Sequence, residues 1–160
     1  MVKMVKTQKK VFKKNNTRRN KSSSTSSTSS IGTFQKQITI MFLEILMMVK
    51  LFHWKTHSYA THKATDALYS SLNDNIDSFI EVLLGKTGSR IDLMSNKTIS
   101  LYDLDSQEKF KAKIDSFKSY LVNLNNNKVL TTTMSNPDLF NIRDEILANL
   151  NKFLYLLTFK

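Results

Sequence analysis

The chain has 160 residues, room for one domain with a sizeable core, and 41% of them are hydrophobic, ordinary for a folded protein. It has a net charge of +11 and no cysteine, which excludes disulfides, thiolate metal sites and cysteine nucleophiles. The positive charge is concentrated at one end. Residues 1–30 hold Lys3, Lys6, Lys9, Lys10, Lys13, Lys14, Arg18, Arg19 and Lys21 and no acid, whereas the other 130 residues are within two charges of neutral.

In chain order, residues 1–33 read as a disordered tail, Lys/Arg-rich to Lys21 and then SSSTSSTSS over 22–30. Such a stretch buries too little apolar surface to offset the entropy of ordering it. Its acid-free charge suits phosphate contacts without sequence preference. A transit peptide or a nuclear-localisation patch are the alternatives.

Residues 34–160 are read as one all-α domain. A first helix starts near Thr33 or Phe34 and runs to about Lys55, with Ile38, Phe42, Ile45, Val49 and Phe52 at spacings of three and four. Its richest apolar run, Ile38 to Val49, is shorter than the roughly 20 residues a bilayer requires, so no membrane span is expected. Ser58, or alternatively Thr61, caps a second helix whose stripe is Ala64, Leu68, Leu72, Ile76, Phe79 and Leu83, ended by Gly85 and Gly88. Residues 86–104 form a long connection with poor periodicity, with room for a short helix. The third helix spans Ser106 to Asn125, and Asn125-Asn126-Asn127 with Thr131–Thr133 break it. The fourth starts at Asn136-Pro137 and carries Leu139, Ile142, Ile146, Leu150, Phe153 and Leu157. Four amphipathic helices with one long central link predict a four-helix bundle with a single long crossover, the ferritin-like arrangement.

All three histidines, His53, His57 and His62, fall within ten residues, and Asp66, Asp74, Asp77 and Glu81 follow on the second helix. Imidazole with carboxylate suits iron, zinc or manganese. His62 and Asp66 are i, i+4 neighbours, as are Asp77 and Glu81, and the two pairs share a broad helix face. Along the axis, however, His62 and Asp77 lie about 22 Å apart. A single chain therefore cannot bring both pairs to one metal. Two chains packed about a twofold axis with antiparallel second helices can, placing His53 and His62 of one opposite Asp77 and Glu81 of the other. Taken alone, these residues also fit a solvated helix face, with His57 and Asp74 at the surface and Met41, Met47 and Met48 as core filler.

Leu51-Phe52-His53-Trp54, His62-Lys63-Ala64-Thr65-Asp66 and Asn75-Ile76-Asp77-Ser78-Phe79-Ile80-Glu81 together resemble the ferroxidase signature of the Dps proteins, or mini-ferritins. The stretch His53-Trp54-Lys55-Thr56-His57-Ser58-Tyr59-Ala60-Thr61-His62 is also similar to short ferritin-like proteins of phages and large DNA viruses. The resemblance covers Leu51 to Gly85. It departs from the family in a shorter His53–His62 segment, with His57 the alternative to His53, and in having no Glu-x-x-His on the other helices. It implies an iron site, mono- or di-iron, with His53, His62, Asp66, Asp77 and Glu81 as ligands shared between twofold-related copies. It further implies oxidation of Fe²⁺, a dodecameric shell, Trp54 beside the metal and DNA held by the basic tail. The expected location is intracellular: cytoplasmic, or, for a viral protein, host cytoplasm or virion. The alternative from another class is a non-enzymatic DNA-binding or virion structural protein of the same fold.

Overall fold

The computed structural model describes residues 24–95, 98–132 and 135–159, with 24–29 as backbone only. The nine cations from Lys3 to Lys21 lie outside the described residues. Four long helices and one short one make up the fold: α1 (Ser24–Lys55), α2 (Tyr59–Thr87), α3 (Gln107–Asn123), α4 (Lys128–Thr132) and α5 (Pro137–Leu156). The described residues contain no strand. The all-α expectation holds.

Local chemistry sets most boundaries. Ser58 caps α2, its hydroxyl accepting from the Thr61 N–H at 3.2 Å. Gly88 ends α2 in the left-handed region at φ 61°, while Gly85 lies inside the helix instead of ending it. Ser106 caps α3 through the Lys109 N–H, and Pro137 opens α5. At the first helix the structure departs from expectation. α1 begins at Ser24, ten residues before Phe34. The Ser/Thr tract has no apolar period to betray a helix, but a helix anchored downstream extends at little cost per residue. Ile31 already packs against the core, and Phe34 is buried. Asn125–Asn127 likewise mark a change of helix. A 3₁₀ turn at Leu124–Asn126 leads into α4, which buries Val129 and Leu130.

Side-chain contacts give the topology. Gln35, in the first half of α1, donates to Thr87 and Ser89 at the end of α2, both at 2.8 Å, while His53 at the end of α1 meets His62 near the start of α2, so α1 and α2 are antiparallel. The connection from Gly88 to Ser106 then runs back along α1. Lys36 pairs with Asp92, Glu44 accepts from the Ser100 N–H, and Lys55 meets Asp103 at 2.7 Å. The described part of this crossover forms no helix. It delivers α3 to the end where α1 finishes, with Phe110 stacked on Phe52. α5 returns antiparallel, starting at the Lys86–Asp138 pair and ending where Gln107 donates to the Leu157 carbonyl. The chain is therefore a bundle with one long crossover.

Two aromatic layers fill the core. Phe42 meets Phe79 edge-on at 5.3 Å and Phe117 at 6.2 Å. Phe110 lies flat on Phe52 at 4.0 Å and edge-on to Phe153 at 5.8 Å. Within α1, Ser30–Lys55 is long and apolar enough to cross a bilayer. Half of its most apolar window is buried in the bundle, and Ile38, Phe42 and Val49 are core residues. A central core helix needs that composition in any case.

Candidate metal centre

The tight turn Thr56–Ser58 folds α2 back against the end of α1 and brings His53 and His62 face to face. Their rings stack with centroids 3.9 Å apart and planes 25° off parallel. His53 is 7% exposed and His62 is half-buried. The hydrogen bonds are reciprocal: His53 Nδ1 to the His62 carbonyl, and His62 Nδ1 to the His53 carbonyl, each 3.1 Å. Carbonyl oxygens only accept, so both Nδ1 atoms carry the hydrogen.

Each bond has a local cause. The last carbonyls of a helix have no partner within it, and His62 serves as a side-chain cap for that of His53. On the other side, Thr65 donates to the carbonyls of Thr61 and His62, leaving its oxygen free to accept from His53 Nδ1 at 3.2 Å. Sequence reasoning missed Thr65, which is fully buried. The available signal was its position, three residues after His62 and four after the buried Thr61.

With Nδ1 engaged, the two Nε2 atoms are the basic nitrogens of the pair, and neither meets a hydrogen-bonding group among the described residues. A histidine whose Nδ1–H is held by a carbonyl, with Nε2 left for the ligand, is the usual arrangement behind metal-binding imidazoles. The donor chemistry therefore fits a borderline divalent cation such as Fe²⁺ or Zn²⁺ at the imidazole end.

The carboxylates are placed differently. Asp66, Asp77 and Glu81 are all exposed on α2, which is unbroken from His62 to Glu81. Asp77 is thus kept about 22 Å from His62 along the axis, as the spacing requires. Asp77 borders a shallow groove between α1 and α2 with Thr39, Leu43, Leu46 and Ile80. Among the described residues of one chain, no three His, Asp or Glu side chains gather closely enough to hold a metal. The structure brings together the two histidines and leaves the acids on an open face.

The neighbouring residues fall as follows. His57 and Asp74 are exposed, and Met48 is buried with Met41 and Met47 packed against the core, all as the sequence suggests. Trp54 is 68% exposed; its ring lies 5.8 Å from the Lys50 ammonium, which also sits 4.7 Å over Tyr69. Any larger packing contact for Trp54 has to come from beyond the described residues.

A family model described as a family of unknown function (DUF5856) matches residues 53–157. The match thus opens on the first histidine of the pair and spans the crossover and the last helix. No curated protein and no solved structure matches the chain.

Proposed function

The chain belongs to the DUF5856 family, and we propose that it is a ferritin-like, Dps-like protein that binds and oxidises Fe²⁺ between two copies of itself. The observation that carries this is the reciprocal His53–His62 pair, in which each Nδ1 is tied to a carbonyl and each Nε2 is left basic. The single long crossover supports it, because that is the connectivity of ferritin-like bundles.

Iron is the substrate. His53 and His62 of one copy supply imidazole nitrogens, and Asp66, Asp77 and Glu81 supply carboxylates shared across a twofold contact. The exposed α2 face provides the surface for that contact, since a helix face open in one chain is available to its symmetry mate. The carboxylates favour the ferric product by charge, and each electron released passes to dioxygen or peroxide. Zinc or manganese would satisfy the same donors. Such pairs, joined through further contacts, would form a closed shell, with DNA held near it by the basic tail.

Fe²⁺ oxidation in air, compared between wild type and Asp77→Ala/Glu81→Ala, tests the site. The double variant is expected to lose most of the rate; equal rates would refute it. Native mass measured together with iron content tests the assembly: a metal-free monomer removes the proposal.

A second reading is favoured by a different observation, the nine cations and no acids of residues 1–30. In it the protein condenses nucleic acid and the histidines are structural. DNA retardation across a salt series, with and without residues 1–23, separates the two. Salt-sensitive binding that disappears on truncation, in a protein that retains no metal, selects this one.

A further inference from the structure

Between α1 and α3, beneath the crossover, lies a cavity of about 180 Å³ far from the histidine pair in its chemistry. Its walls are Met41, Ile45, Met48 and Phe117. Ile45, Met48 and Phe117 are core residues, so the floor is apolar. Its mouth is polar, framed by Glu44, Tyr102, Lys113, Ser116 and Tyr120.

The charges at that mouth are unequal in their engagement. Glu44 accepts from the Ser100 N–H at 3.0 Å. Lys113 meets no carboxylate at ion-pair distance among the described residues; its ammonium lies 3.6 Å over the Tyr102 ring. Burial raises the Tyr120 phenol above its ordinary value, so the hydroxyl stays a donor. On the α3 side, three donors therefore border a greasy hole: an ammonium and two hydroxyls.

We propose that this cavity binds a small amphipathic carboxylate, its apolar body among Met41, Ile45, Met48 and Phe117 and its head group on Lys113, Ser116 and Tyr120. The size fits. An apolar cavity of about 150 Å³ admits a benzene-sized body, so this one takes a chain or ring of about six to eight carbons. The head group seats on α3, with Glu44 on the α1 side of the same mouth held by the Ser100 N–H. Tyr102 belongs to the crossover, so the ligand also pins that segment to the bundle. This site is independent of the proposed iron chemistry.

Calorimetric titration of the full chain with octanoate, and with octanol as the uncharged comparison, tests it. Octanoate is expected to bind about tenfold more tightly than octanol, the size of one charge-assisted hydrogen bond. Lys113→Met should remove that difference and leave octanol binding unchanged. Ser116→Phe plugs the mouth from an exposed position, and Met41→Trp plugs it from α1; either should abolish binding while thermal unfolding stays cooperative. Octanoate binding no better than octanol overturns the ligand class. Binding that survives both plugs overturns the location, and no binding of either compound overturns the proposal.

Discussion

The His53–His62 pair makes a stability prediction that needs no metal. His62→Ala removes both the ring stack and the donor that caps the His53 carbonyl. His62→Phe keeps an aromatic ring on His53 and removes only the donor. A net hydrogen bond is worth about 1 kcal/mol and an aromatic contact about 0.5–1.5 kcal/mol. The expected costs are therefore about 1 kcal/mol for His62→Phe and about 2 kcal/mol for His62→Ala. His53→Ala should cost about 2 kcal/mol through lost burial and stacking. It leaves little unsatisfied, because the His62 carbonyl still accepts from the Thr65 hydroxyl at 2.9 Å. The two alanine changes delete the same stack, so the double variant should be less damaged than the sum by about 1 kcal/mol. Urea denaturation of the four variants, in chelator and at one protein concentration, measures all of these terms. Strict additivity of the alanine changes, or His62→Phe as stable as wild type, would refute the reciprocal geometry and with it the argument that Nε2 is the basic nitrogen.

Other perturbations probe the frame that holds the pair. Phe110→Ala empties a fully buried position between Phe52 and Phe153 and should cost about 3–5 kcal/mol in urea unfolding, whereas Phe159→Ala, at an exposed site, should change stability by less than about 0.5 kcal/mol. Ser58→Ala removes the α2 cap and should cost about 1 kcal/mol, seen as a Tm lower by about 4 °C. Asp138 is held below its ordinary value, first by the hydrogen bond from Lys86, so the stability it adds is present above about pH 3.9 and is lost as pH falls through the lowered value. Asp138→Asn should therefore destabilise at pH 6 and converge with wild type towards pH 3, as followed by thermal melts. Trp54 is the only tryptophan and is 68% exposed, so its emission is expected to be red and easily quenched in a monomer and to shift blue if assembly covers that corner.

Where the chain follows a simple period, the sequence reveals the structure. The stripes Leu68–Leu72–Ile76–Phe79–Leu83 and Ile146–Leu150–Phe153 are the buried faces of α2 and α5. Ser58, Ser106 and Pro137 mark helix starts because their chemistry acts within one turn. Features that depend on partners distant in sequence are harder to see. The extension of α1 to Ser24 carries no apolar signature, and Lys113 becomes part of a cavity mouth only because the crossover sets Tyr102 against it. The histidines were visible as a cluster by composition. Their stacking was not, since it depends on how sharply Thr56–Ser58 turns. The distance from His62 to Asp77 followed from helix rise alone and holds because α2 is continuous.

α1 also fixes a polarity in the molecule. It starts at Ser24, meets the end of α2 at Gln35 and finishes at the histidines, an unbroken rod of 32 residues, about 48 Å long. The strongly cationic segment is attached at one pole and the imidazoles stand at the other. Several Debye lengths separate the two ends of this rod at physiological salt, so charges held at them are electrically almost deaf to each other. A polyanion gathered at the first pole would leave the field at the second nearly unchanged, and the two ends are free to take partners of opposite charge at the same time.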